Sequence, residues 1–177
     1  MRVKLVIGVC ALLLTAGGAL ARAGPPQPAK PVPANLYSGR WYEIARTPNQ
    51  MQNGCQGSTS DFSGWSAGGA FSVVQTCHKG SLSGPTQTYN ARGKILSNDN
   101  AKMKLGFFGG LISQEYWILD HADDNAWAIM ARYDGRYVWL LSRRPVLDGA
   151  EKQTALSRLK ALGFDLTHLA FPAQPTG

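Results

Sequence analysis

From residue 35 onward the apolar residues fall in short runs of strand type separated by turn residues, and the first run constrains all the others. Residues 35–46, NLYSGRWYEIAR, follow Pro33, open with the turn formers Asn35, Ser38 and Gly39, and continue with Trp41, Tyr42 and Ile44. Neighbouring side chains on a strand point to opposite faces, so bulky groups here require cover on both sides of the sheet. An antiparallel sheet closed on itself meets that need. Its inner face holds a core or a ligand, and a helix covers the outer face locally.

Strand-like runs recur at 58–63, 70–76, 87–94, 102–107, 115–120, 126–133 and 136–142. Turn residues separate them at 64–69, 80–85, 97–100, 108–110 and 121–125, and Asp134-Gly135 gives a two-residue hairpin signal between aromatic-rich strands. The pattern predicts an all-β fold, an eight-stranded antiparallel up-and-down barrel. No strand-helix alternation of the kind a parallel nucleotide-binding sheet needs is visible. The aperiodic stretch 47–57, TPNQMQNGCQG, is a loop long enough to lie across one end of the barrel.

One helix breaks the strand pattern. Asp148 is its N-cap with Glu151 three residues on, Ala155, Leu156, Leu159 and Leu162 recur at helical spacing, and Gly163 closes it. Its apolar stripe is expected to pack outside the barrel, on the first and eighth strands over Tyr42 and Ile44. A short ninth strand is expected at 166–171.

The ends of the chain read differently. Residues 1–23 have basic Arg2 and Lys4, an apolar run from Leu5 to Leu14, and the small-x-small site Ala21-Arg22-Ala23. That is the pattern of a secretory signal, with an apolar run too short to span a membrane. Val9 precedes Cys10 and little of the apolar run lies upstream, so Cys10 reads as an incidental signal residue rather than an acylation site. Residues 24–34, with five prolines, read as a polyproline-like tether, and 35–177 as a single domain.

Loss of the signal takes Arg2, Lys4 and Arg22 from the 18 basic residues, so 15 face 11 acidic ones and the net charge falls from +7 to +4. That balance is too mild for nucleic acid, and no basic stripe interleaved with aromatics is present. Cys55 and Cys77 remain, at the start of the second strand and the end of the third, on a route to an oxidising compartment. A disulfide is the expected state, closing a loop for which chain entropy gives on the order of 3 kcal/mol. Two free thiols are the plain alternative. A Cys77-His78 catalytic pair is disfavoured because adjacent strand residues face opposite ways.

Three motifs carry a family resemblance: GRWYEIAR at 39–46, YWILD at 116–120, and YVWLLSRRP at 137–145 ahead of the helix. In this order they resemble the lipocalin family, in particular its bacterial outer-membrane branch, over residue 35 to about residue 174. The resemblance implies that Gly39 and Trp41 form the Gly-x-Trp plug of the closed end, with Arg143 lying across the indole. It departs at Asp123-Asp124-Asn125, where lipocalins often carry Thr-Asp-Tyr, so hydrogen bonds at the closed end are expected to differ. It departs again in lacking an acylation motif.

With Arg143 at the closed end, strand parity turns Tyr137, Trp139 and Leu141 inward. The resemblance places Tyr116 inward too; Phe107 and Phe108, beside flexible Gly106, Gly109 and Gly110, are expected to rim the open mouth. Such walls suit a small hydrophobic ligand, a fatty acid or lysophospholipid with its head near the mouth. The same aromatics could equally fill a dry core. The implied function is lipid storage or transport in the cell envelope, in the periplasm or at the outer-membrane periphery. The rival readings are an isomerase-like enzyme on a small hydrophobic substrate and a structural envelope protein. Against catalysis, His78, His121 and His168 are scattered, and no metal or cofactor pattern is present.

Overall fold

The computed structural model describes residues 25–176; the expected secretory signal lies outside them. Eight antiparallel strands close into a barrel in chain order. They are β1 (Gly39–Arg46), β2 (Cys55–Ser63), β3 (Ala70–Lys79), β4 (Thr86–Ile95), β5 (Lys102–Phe107), β6 (Ile112–His121), β7 (Trp127–Arg132) and β8 (Val138–Ser142). β1 pairs with both β2 and β8, which leaves no open sheet edge. The β1–β2, β3–β4, β5–β6 and β7–β8 loops share one end. Trp41, near the start of β1, marks the other.

The barrel separates two cores. Trp41, Phe62, Phe71, Val73, Met103, Leu105, Ile118 and Met130 fill its lower interior. Ile44, Ala45, Leu119, Ile129, Val138 and Leu140 form the outer core beneath Ala155 and Leu159 of the helix α1 (Gly149–Ala161). Asp148 caps α1 through the Glu151 N–H at 2.9 Å. The helix lies over β7, whose Ile129 and Ala131 extend the outer apolar face, rather than being centred on β1 and β8. Arg158 ties it to buried Asp120 at 2.6 Å.

Two bulges set which residues face which core. Pairing of β1 with β8 slips between Glu43 and Ala45, so Ile44 and Ala45 both face outward and Arg46 returns to the face of Glu43. A second slip between Ile118 and Asp120 brings Asp120 to the outer face beside Leu119. The Leu119 carbonyl, passed over by the ladder, accepts the Ala29 N–H at 2.8 Å.

That bond belongs to a segment the sequence presents as a free tether. Residues 25–31 instead lie along the outside of the barrel, where Pro31 O faces His121 Nε2 at 3.1 Å, and Val32 turns in at the closed end, its N–H donating to the Asp99 carbonyl at 2.8 Å. Val32 and Leu36 are buried in the inner core. Proline removes donors, so an extended strap needs few partners to lie flat on a sheet. The expected ninth strand is also absent among the described residues. Leu166–His168 is a 3-10 turn capped by Asp165, and Ala170 makes a single bridge to Arg46. The Asp134-Gly135 hairpin is wider than two residues: Arg132 N–H reaches Tyr137 O at 2.9 Å, leaving four residues in the loop.

Gly93 of β4 shows how tightly the lower core is filled. A Cβ there would stand 2.2 Å from the Phe71 ring. Gly93→Ala is expected to cost about 1–3 kcal/mol by overpacking, read as a lower denaturant midpoint. An unchanged midpoint would mean the ring yields freely.

Candidate functional site

The closed end is sealed by an aromatic floor and one arginine. Trp41 is 1% exposed, and its indole N–H donates to the Leu36 carbonyl at 3.0 Å. The Arg143 guanidinium lies 3.7 Å from the centre of the Trp41 ring. It donates to the carbonyls of Ser38 (2.6 Å), Arg40 (3.1 Å), Asn35 and Leu36 (both 3.3 Å). One planar cation thus fastens the turn Ala34–Tyr37 over the barrel base. Partial burial lowers the Arg143 pKa from the usual arginine value. Gly39 has φ +69°, and a Cβ on it would stand 3.5 Å from Arg143 Nη1. The motif glycine therefore supplies the left-handed bend that starts β1.

Tyr37 continues the floor, stacked on Trp65 with centroids 5.3 Å apart and packed on Phe71 at 5.1 Å. Its hydroxyl donates to the Asn100 carbonyl at 2.5 Å, and burial pushes its pKa well above the ordinary tyrosine value. The divergent Asp123-Asp124-Asn125 segment bonds locally and to the strap: Asp124 accepts from Ala126 N–H at 2.9 Å, and Asp123 pairs with Lys30 at 2.5 Å.

Above this floor the barrel opens. A cavity of about 240 Å³ at the mouth is lined by Phe107, Phe108, Tyr116, Arg132, Tyr137 and Trp139, with Asn49 and Met51 of the β1–β2 loop across it. It leads to an inner chamber of about 60 Å³ that shares Phe107, Tyr116 and Trp139 and adds Leu141, Met130 and Glu43. Six residues singled out from the sequence thus come together, but not alike. Phe107 is buried in the wall, whereas Phe108 is 53% exposed on the rim with φ 52°. Tyr116 meets Trp139 edge-on at 5.7 Å, and Tyr137 lies 6.3 Å from Trp139.

The two halves of the wall differ in chemistry. Phe107, Tyr116, Met130, Trp139 and Leu141 make an apolar side from β5 to β8; Glu43, Ser60, Gln75 and Tyr89 make a polar side from β1 to β4. Gln52 joins the two. Its side-chain carbonyl accepts from Trp139 Nε1 at 2.9 Å and Asn49 Nδ2 at 2.8 Å, while its amide nitrogen donates to Glu43 Oε2 at 2.5 Å.

A barrel plugged by a Gly-x-Trp tryptophan beneath an arginine, with a ligand-sized mouth opposite, can be set beside known proteins. The model of the lipocalin-like domain matches residues 32–174. The chain belongs to the lipocalin family. It is 27% identical over 173 residues to the outer membrane lipoprotein Blc of Vibrio cholerae, covering 94% of this chain and 95% of that one. Identity to the Blc lipoprotein of Escherichia coli K12 is 28% over 145 residues, covering 80% and 79% of the two chains. Insecticyanin of the tobacco hornworm Manduca sexta shares the fold, with TM-score 0.66, 18% identity and 85% of each chain covered.

Inside this lipocalin lies a buried ion pair that the sequence reading passed over. Arg46 bonds Glu43 Oε1 and also donates to the carbonyls of Gln52 (2.9 Å) and Cys55 (3.1 Å). Burial pushes the Glu43 carboxyl above the usual range, and Arg46 and then Gln52 pull it back. Alternation from Trp41 would have shown Glu43 facing inward; only the bulge brings Arg46 to it. Met51, Gln52, Gln75 and Tyr89 were missed because a loop without period and polar residues on a barrel wall carry no strand-core signal.

Cys55 and Cys77 form a disulfide with Cα atoms 5.4 Å apart, joining β2 and β3 next to the ion pair. The adjacent His78 turns away from the cystine to the Gly84 carbonyl at 3.2 Å. His121 sits under the strap, and His168 meets Asp165 at 3.1 Å.

Proposed function

We propose that this lipocalin binds one single-chain amphiphile, a fatty acid or lysophospholipid, for lipid storage or transport in the bacterial cell envelope. The observation that supports this best is the mouth cavity of about 240 Å³ walled by Phe107, Tyr116 and Trp139. That volume lies somewhat below the usual range for small-molecule sites, which favours one acyl chain over two. The chain lies along the apolar half-wall. Met51, unbranched and flexible, gives way at the mouth, and the head group stays near Arg132 and Gln114. The envelope location rests on the Blc relatives, which are outer membrane lipoproteins.

Binding is favoured over catalysis by the state of Glu43. It is the one carboxyl lining the chamber among the described residues, and both of its oxygens are already engaged. A general base needs a free oxygen within reach of substrate.

Trp139 separates a filled wall from a ligand site. Trp139→Glu places a carboxylate beside Tyr116 and Glu43 and removes the bond to Gln52, so affinity for a fluorescent fatty acid is expected to fall about tenfold or more. Circular dichroism checks that the barrel persists. Unchanged affinity in a folded variant would place the ligand elsewhere, and saturable binding by neither protein would overturn the carrier reading.

A further inference from the structure

Large apolar side chains exposed on this barrel are not scattered. Of the nine among the described residues, Met51, Leu82, Phe108, Leu111, Ile112 and Tyr133 lie on or beside the four loops at the open end. Leu111 is 89% exposed and lines neither the mouth cavity nor the inner chamber. Apolar groups gathered at one end and continuous with a ligand mouth mark a contact surface rather than ordinary surface composition.

Charge identifies what it contacts. The four loops (47–54, 80–85, 108–111 and 133–136) hold a single carboxylate, Asp134, and it is held by Arg132 and by Arg136 at 3.2 Å. Arg136 is 75% exposed at its side chain, and Lys79 stands at the top of β3. Asp99, Asp123 and Asp124 lie at the opposite end. Two such rims placed face to face would oppose Arg136 and Lys79 of one copy to those of the other. An anionic lipid surface complements both the cations and the apolar loops.

We infer that the open rim docks on an anionic bilayer, with Leu111, Phe108 and Tyr133 entering the interface and the mouth facing the lipid. This rests on the carrier reading, since docking in this pose lets an acyl chain pass between bilayer and cavity without crossing water. Interfacial contact by loops needs no membrane-spanning element.

The test is vesicle flotation of the protein prepared without residues 1–23, so that the apolar Leu5 to Leu14 run cannot itself bind lipid. The closed barrel and both cores lie wholly within the residues retained. Wild type is expected to float with vesicles of phosphatidylethanolamine and phosphatidylglycerol and less with phosphatidylcholine alone. Leu111→Glu is expected to lower the vesicle partition coefficient about tenfold, and Arg136→Glu to abolish the preference for phosphatidylglycerol. Both variants should bind a fluorescent fatty acid in vesicle-free solution as wild type does. Failure of wild type to float while it binds that fatty acid overturns docking and leaves the carrier reading intact. Flotation without fatty-acid binding supports docking and removes the carrier reading. A dimer in sedimentation that Leu111→Glu dissociates, with no flotation, overturns docking in favour of self-association.

Discussion

Trp41→Ala is expected to destabilise the barrel by about 3–5 kcal/mol, the range for a large aromatic removed from a close-packed core. Three losses coincide at that position. The floor loses its largest fully buried side chain, the Leu36 carbonyl loses its indole donor, and Arg143 loses the ring it covers at 3.7 Å. Arg143 keeps its carbonyl partners, so the turn Ala34–Tyr37 has a remaining anchor, and the chain is expected to fold with a lower denaturant midpoint. Equal midpoints for variant and wild type would mean the plug contributes nothing to the base. Arg143→Lys separates the contributions further, because an ammonium cannot present a planar fork to four carbonyls.

The second large effect concerns the interior. Arg46→Ala leaves Glu43 buried without its cation and frees the carbonyls of Gln52 and Cys55, at a cost of about 3–5 kcal/mol near neutral pH. Its pH dependence follows from the direction of the Glu43 shift. Burial holds the folded-state pKa above the ordinary value, so the native chain binds this proton more tightly than the unfolded one. The stability it contributes is full below the ordinary glutamate value and declines as pH rises through the raised one. Removing Arg46 takes away the largest opposing pull and raises that pKa again. The deficit of the variant should therefore be smallest near about pH 4 and grow toward about pH 8. A deficit equal at both ends would show that the Glu43 charge is not what Arg46 compensates.

The same residues show how far the fold was legible. Residues 137, 139 and 141 alternate with 138 and 140, and the structure keeps that division, with Trp139 and Leu141 toward the interior and Val138 and Leu140 toward the helix. Period two is a property of the covalent strand, so it survives into the barrel. Bulges do not announce themselves this way. Nothing in WYEIAR shows that Ile44 and Ala45 share a face, since that depends on how β8 pairs with β1.

Composition also misled where it described hydrogen-bonding capacity rather than packing. Five prolines show that residues 24–34 cannot join a ladder, but they do not show whether Val32 is buried. Likewise the apolar residues of 166–171 suggest a strand, whereas Asp165, bonded to the Thr167 N–H at 2.9 Å, turns the backbone instead. In the cavity the aromatic half-wall was visible from the motifs. The polar half was not, because Gln52 comes from an aperiodic loop and acts through a long-range contact with Trp139, 87 residues away.

Native mass spectrometry of the protein isolated from an envelope fraction, with lipid extraction of the same sample, tests the central claim most directly. One single-chain amphiphile per barrel is expected, absent from Trp139→Glu prepared in the same way. Protein that carries no lipid and acquires none when fatty acid or lysophospholipid is added would contradict it.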